Sequence, residues 1–376
     1  DYIHHLRERD VSQPVFRAIC MINEKGKSGV QKAARIQDVA RAAGVSTATV
    51  SRALSSPELL SEATRKLVLE AIRSTGYRAN KAARTLRTQK AGAVLVLVPN
   101  LGNPFFSQIL ASLSDVFMGT DYSVLIADTE EHPPSDRNLI DYFRDSRIDG
   151  MISLDGALTL QEMRDFHEHG VSDRIVFACE WVKDSELPSV RSDIVLGARL
   201  AVRHLHELGH RKIAHVVGPE KNVLSQARRQ GALEEFAALE LPFEEDWLLK
   251  GEFSLECGRD VALQILAMDN RPTAVCCSSD QVAFGLIATL TAEGVKVPDD
   301  ISVVGFDDIE LSEFYVPALT TIRQNRSALG ERAASLLMDR ITPKPIAAAA
   351  EPLSTEALVV VDVELVERAS TAAPRV

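Results

Sequence analysis

Four side chains in the stretch "GVSTATVSRAL", residues 44–54, carry the chemistry of reading a nucleic-acid groove: Thr47, Ala48, Ser51 and Arg52. At spacings i, i+1, i+4 and i+5 they share one face of a helix. Three are short, which lets a backbone come close to another surface. The fourth ends in a guanidinium whose fork matches guanine O6 and N7. A second set has the chemistry of a ligand pocket: the aromatic faces of Phe105, Phe106, Trp181 and Phe253, with the carboxyls of Glu180 and Asp280. Aromatics are only 5% of the chain, yet these four fall at the ends of expected strands. Rings that grip and a few placed polar groups are the composition of a small-molecule site.

The first set needs a compact helical unit to hold it. "RIQDVARAAGV" predicts a short helix with Ile36, Val39, Ala40 and Ala43 on one face. Gly44 supplies the left-handed turn that ends it, and Ser46 is a good N-cap for a second helix to about Leu54. Val50, Ala53 and Leu54 are expected to face inward. A third helix is expected from Ser61 to Gly76. The pattern is a helix-turn-helix whose second helix suits a major groove. Charge agrees. Residues 32–90 hold twelve Lys/Arg against four acids, a net of +8 in a chain of net −11. With residues 1–31 at +1, the remainder carries −20. A small basic module on a large acidic body points to a polyanion partner for the module alone. A plain helical bundle with a solvated basic face is the other reading of the same residues.

The second set needs strands. After Gly92, "AVLVLVP", "YSVLIAD", "GMISL" and "RIVFACE" form one series of buried strands, and "KIAHVVG", "WLLKGEF", "TAVCCSS" and "ISVVGFD" another. Continuous aliphatic strands separated by helices predict parallel α/β sheets covered on both faces. Eight such units exceed one comfortable sheet, so two Rossmann-like lobes are expected, with a ligand in the cleft beyond the strands' carboxyl ends. Asn103-Pro104-Phe105-Phe106 follows the first strand, Glu180-Trp181 the fourth, Phe253 the sixth and Asp280 the seventh.

The chain resembles the lactose-repressor (LacI) family of transcriptional regulators from about residue 34 to 368. The likeness runs through "RIQDVARAAGVSTATVSRAL", "GHRKIAHVVGP", "SSDQVAFGLIATLTAEGVKVPDDISVVGFDD" and "PALTTIRQ" in order. "STATVSRAL", "ELPSV" and "GEFSLECG" are most similar to the cytidine/purine repressor branch. The resemblance implies an N-terminal all-α helix-turn-helix domain (34–80), a hinge helix (81–91), and a periplasmic-binding-protein-like α/β body of two Rossmann-like lobes for effector binding and dimerisation (92–368). It divides the body into lobe 1 at about 92–193 and 300–323 and lobe 2 at about 194–299 and 324–350, with crossings near Asp193, Asp300 and Arg323. It also implies that Thr47, Ala48 and Arg52 read bases, and that Ser46, Thr49 and Ser51 contact phosphates or cap. In the hinge "NKAARTLRTQ", with Asn80, Ala83 and Arg84 at the DNA, Leu86 would wedge into the minor groove. An exposed leucine between Arg84 and Arg87 suits such a wedge, or packing on a neighbouring subunit. Arg228 in "ARRQG" matches a family arginine three residues before the glycine, and Asn222 stands where the purine branch carries another polar group.

The function expected from this is a repressor that pairs as a homodimer on double-stranded operator DNA. Its small-molecule effector is a nucleoside or nucleobase, with a sugar as the alternative. A transporter solute-binding protein shares the body, but would lack residues 35–90 and would need an export signal, which "FRAICMI" resembles poorly. Cytoplasmic localisation is expected, without membrane attachment: no apolar run approaches the roughly 20 residues of a bilayer span. The five cysteines include no CxxC pair and read as reduced thiols. No cofactor, no metal site and no catalytic residue is expected. Gly26-Lys27-Ser28 resembles the end of a Walker A, but Met21 stands where its first glycine belongs. His204, His206, His210 and His215 are dense, yet the first two do not share a helix face. Residues 1–33 and the tail 369–376 are expected to be disordered.

Overall fold

The computed structural model describes residues 34–55, 57–77, 90–130, 138–342 and 358–375. The chain divides into two compact units, Asp1–Arg84 and Thr85–Val376. The extension 1–33 and the hinge residues Asn80, Ala83, Arg84 and Leu86 lie outside the described residues.

Among the described residues, the first unit has three helices: α1 (Ile36–Ala43), α2 (Thr47–Ser55) and α3 (Glu62–Thr75). Each boundary has a local cause. Asp38 reaches back to accept from the Arg35 N–H at 2.9 Å, closing the start of α1. Gly44 ends α1 at φ 67°, a conformation that penalises any Cβ. Ser46 Oγ accepts from the Thr49 N–H at 3.1 Å and caps α2. Ser61 does the same for α3 through the Thr64 N–H, and left-handed Gly76 closes it. Val39, Ala40, Val50, Ala53, Val68 and Ala71 form the buried centre. Leu54 departs from expectation: it is 42% exposed, because a helix of nine residues buries only the Val50–Ala53 stripe against its neighbours.

The body holds two six-stranded sheets. The first contains β1 (Ala93–Val98), β2 (Ser123–Asp128), β3 (Gly150–Ser153), β4 (Ile175–Ala178), β5 (Ser189–Ser192) and β11 (Leu358–Val361), in the order β11-β5-β4-β3-β1-β2. All its pairings are parallel. The second contains β6 (Ile213–Val217), β7 (Leu248–Lys250), β8 (Ala274–Cys276), β9 (Ser302–Asp307), β10 (Thr320–Gln324) and β12 (Val363–Val366), in the order β12-β10-β9-β8-β6-β7. Only β12 runs antiparallel there, against β10. Helices α4 (Phe105–Phe117), α5 (Leu139–Arg144) and α6 (Leu160–Glu168) follow strands of the first sheet. Helices α7 (Ile194–Glu207), α8 (Val223–Ala238), α9 (Leu255–Ala267), α10 (Asp280–Ala292) and the short α11 (Leu311–Phe314) accompany the second. Helix α12 (Arg326–Ile341) returns to the first. All eight expected strands are present, and the alternation of strand and helix makes each sheet doubly wound, as expected. Helices α9 and α10 touch through a reciprocal glycine pair, where a Cβ on Gly258 would strike Val282 O and one on Gly285 would strike Leu255 O.

Three expectations fail here. The lobe partition is wrong after Asp193. Strand β9 sits between β8 and β10, so residues 300–323 belong to the second lobe and the chain does not cross at Asp300. Helix α12 belongs to the first lobe, where Leu337 and Ile341 press on Gly150 of β3 and Gly330 lies on the Ile109 carbonyl of α4. The crossings fall at Asp193, at Asn325 and at Asp362, between β11 and β12. Asp193 and Asn325 each cap the helix that follows, through the Leu196 and Ala328 N–H groups at 3.0 Å. Second, β2 is an edge strand with Leu125 and Ile126 exposed, not a strand buried on both faces. Third, the tail packs on the body as far as Arg375. Ser370 is wholly buried, its hydroxyl donating to Val303 O at 2.6 Å and accepting from the Thr320 N–H at 2.8 Å. Arg375 pairs with Asp299 and Asp300. The composition of "ASTAAPRV" concealed this, because small polar residues fit an added segment between β9 and β10 as well as they suit a loose end. No described helix is long and apolar enough to cross a membrane.

Candidate functional site

In a doubly wound sheet, the crevice opens where consecutive connections leave in opposite directions. That point lies between β1 and β3 in the first sheet and between β6 and β8 in the second. A cavity of about 850 Å³ occupies this position between the lobes. Asn103 and Phe106 reach it from beyond β1, Asp155 from beyond β3, Glu180 from beyond β4, Asn222 from beyond β6 and Phe253 from beyond β7. Below it is a recess of about 30 Å³ walled by Phe105, Phe106, Cys179, Glu180, Arg228, Phe253 and Asp307, among others.

The polar groups here are partners of one another. Arg228, on α8, is 3% exposed; its Nη2 lies 3.3 Å from Asp307 Oδ1. Its guanidinium carbon is 4.2 Å from the Phe306 ring centre and 5.2 Å from that of Phe253. Gln324 Nε2 donates to the same Asp307 oxygen at 2.8 Å. Burial pushes the Asp307 carboxyl up to about 7, with Arg228 pulling the other way. Glu180 bridges the lobes. Its Oε1 accepts from Asn222 Nδ2 at 2.9 Å and its Oε2 from the Gly156 N–H at 3.1 Å. Burial also pushes Glu180 up to about 7, despite both hydrogen bonds. Asn222 meanwhile caps α8 through the Leu224 and Ser225 N–H groups. The strand ends that present these carboxyls are strained: Cys179 has φ 67°, Asp307 φ 123° and Asp308 φ 54°. Non-glycine residues in such conformations cost about 1–3 kcal/mol each and cluster at functional sites.

Of the expected effector residues, Phe105, Phe106, Glu180, Asn222, Arg228 and Phe253 meet around this cleft. Two do not. Trp181 is not in its lining; the Arg191 guanidinium lies 4.0 Å over its ring and occupies that face. Asp280 is wholly buried behind the cleft. It accepts from Thr321 Oγ1 at 2.5 Å, Ser312 Oγ at 2.7 Å and the Ile309 N–H at 2.9 Å, which ties α10 to β10, to α11 and to the turn before it. The carboxyl that this lobe presents to the recess is Asp307 instead. It ends β9 in "ISVVGFDD", and the strand-end rule, applied to that eighth strand, would have found it. Glu130, Asp155 and Glu252 were missed as well. Two of the four histidines have structural partners: His204 contacts Thr371, and His210 contacts Thr273, Ser302 and Ala372. Among the described residues, no group of His, Cys, Asp and Glu is placed to hold a metal.

On the helical unit, Ser46, Thr47, Ala48 and Arg52 are exposed, and Thr49 and Ser51 half-buried. The outward face of α2 is therefore short-chained with one arginine, over a core that holds it rigidly. Residues 35–80 match the profile of bacterial regulatory proteins of the lacI family, and residues 202–371 that of a periplasmic-binding-protein-like domain. The chain is 35% identical over 347 residues to the HTH-type transcriptional repressor CytR of Escherichia coli K12, covering 91% of this chain and 98% of that protein. It belongs to the lacI family.

A second lacI-family relative, the repressor PurR of Vibrio parahaemolyticus, is 35% identical over 318 residues, 83% of this chain and 93% of its own. Among solved structures, the lac repressor dimer bound to operator and the anti-inducer ONPF aligns with TM-score 0.77 at 28% identity, covering 91% of this chain and all of that one. A CelR–cellobiose complex aligns with TM-score 0.65 at 28% identity, over 90% and 99% of the two chains. As a lacI-family member, the chain is a DNA-binding transcriptional regulator and not an enzyme.

Proposed function

We propose that this regulator is a homodimeric repressor of a pseudo-palindromic operator, released or tightened by a nucleoside or nucleobase bound between the lobes. Arg52, Thr47 and Ala48 read bases from the major groove. Ser46, Thr49 and Ser51 meet the backbone, and Leu86, with Asn80, Ala83 and Arg84, enters the minor groove. What supports the effector reading is one observation: Phe106 and Phe253 face a single cleft whose floor holds Glu180, Asn222, Arg228 and Asp307. Two rings can hold a planar base, and acceptors beside an arginine match its polar edge. The relatedness to CytR and PurR favours the same class. A sugar is the second reading, favoured by the likeness to the CelR–cellobiose complex.

A thermal-shift panel of nucleosides, nucleobases, pentoses and hexoses tests this. A ligand at 100 times its dissociation constant adds about 2.7 kcal/mol, enough to move the midpoint by several degrees. Shifts with nucleosides or bases are expected. Shifts with hexoses alone would transfer the site to the sugar reading.

A further inference from the structure

The charge around the cleft is one-sided. Among the described residues, its lining holds four carboxyls, Glu130, Asp155 and Glu180 from the first lobe and Glu252 from the second, against the cation Lys221. The recess below adds Asp307, and its one cation, Arg228, is already paired with that residue. Asp155 is less than a tenth exposed, so salt does little to screen it. Asp155 accepts from Thr129 Oγ1 at 2.5 Å and from the Ala157 N–H at 2.8 Å, which fixes it in place.

A second, independent observation concerns the helix N-termini that face the cleft. Such termini bind phosphate when their first-turn N–H groups are free. Here the chain's own side chains take a first-turn amide at each. Asn103 Oδ1 accepts from Phe105 N–H, Asn222 Oδ1 from Leu224 and Ser225, Ser254 Oγ from Cys257, and Ser279 Oγ from Val282. Each cap takes one or two of the four amides that an anion would use, and the carboxylates at the cleft disfavour one.

We propose that the effector carries no negative charge: the cleft admits an uncharged ligand with hydroxyl or amino donors and excludes phosphorylated or carboxylated ones, with Glu130, Asp155 and Glu252 setting that choice. This rests on the effector reading above and narrows it. A carboxylate only accepts hydrogen bonds, so the ligand must donate. A phosphate entering the cleft would meet the buried Asp155, with Glu130 and Glu252 at the rim, in a medium where like charges repel several-fold more strongly than in water.

The test uses matched pairs on the full-length protein, by calorimetry in near-physiological salt: cytidine, adenosine, ribose and glucose, each against its terminal phosphate ester. At least one parent is expected to bind, and its phosphate to bind at least about 30-fold more weakly. The double variant Glu130→Gln/Glu252→Gln, altered only at exposed positions, is expected to narrow that ratio, whatever it does to the affinity for the parent. A phosphate that binds as well as its parent overturns the proposal, as does a panel without any binder or a ratio unmoved in the double variant. The pairs separate the two readings. If only glucose or ribose binds and its phosphate does not, the nucleoside reading fails and the charge rule stands. If a nucleotide binds and its nucleoside does not, the charge rule fails and the nucleoside reading stands.

Discussion

The helical unit and the interlobe cleft solve opposite problems. On α2, Thr47, Ala48 and Arg52 stand exposed over a core made by other residues, Val50 and Ala53 among them. In the cleft, the polar side chains sustain one another: Arg228 with Asp307, Asp307 with Gln324, Glu180 with Asn222, and Asn222 with the start of α8. Recognition is separable from folding in the first region and inseparable from it in the second. The sharpest way to break this contrast is Arg228→Met. The side chains of Arg228 and Asp307 are 4% and 9% exposed, so the variant leaves a buried carboxyl without its cation. Breaking such a pair costs about 3–5 kcal/mol. Urea unfolding of the effector-free protein should report that loss, and an unchanged midpoint with an unchanged slope would refute the interdependence.

Arg52→Ala probes the other side. The residue is exposed, so stability should stay within about 0.5 kcal/mol of the parent. Discrimination at one base pair of the operator should fall by about 1–3 kcal/mol, while affinity for unrelated DNA falls much less. Competition binding against operators varied one pair at a time measures both. Equal losses on all sequences would make Arg52 a phosphate contact and not a reader.

The same contrast explains what could be read from the sequence. The helical unit was legible almost to the residue, because its determinants are local: Gly44, Ser46, Ser61 and Gly76 each act within a few positions. The eight principal strands were legible because continuous aliphatic runs announce burial on both faces. What could not be read was whatever depends on contacts far apart in the chain. The carboxyls of Asp280 and Asp307 both lie at strand ends, and only the fold shows that Thr321 and Ser312 consume the first while the second faces the recess. Trp181 was expected in the pocket on its position, but Arg191, ten residues on, claims its face. Lobe membership of 300–341 failed for the same reason, since either sheet would accept β9 and α12 on composition alone.

The smallest effect is a pH dependence that the cleft alone should produce. Glu180 has its carboxyl raised to about 7 by burial, above its ordinary value near 4.5. The folded state therefore holds a proton that the unfolded state has released, and stability falls as pH rises through about 7. Between pH 6 and 8 a single such group loses about 1.4 kcal/mol. His204, His210 and His215 work in the opposite direction. Burial lowers all three, His215 to about 4, so they lose stability as pH falls below the ordinary histidine value and mask the carboxyl in the parent protein. The difference between parent and Glu180→Gln removes the histidines, which both proteins share. The substituted amide keeps an oxygen to accept from Asn222 but cannot titrate. The parent's stability relative to this variant should shrink by about 1.4 kcal/mol from pH 6 to pH 8, read from paired urea titrations. A helical-unit variant such as Arg52→Ala should show a constant difference over the same range. Were the Glu180→Gln difference equally flat, the carboxyl would be ionised throughout, and the cleft would be as loosely coupled to folding as the reading face of α2.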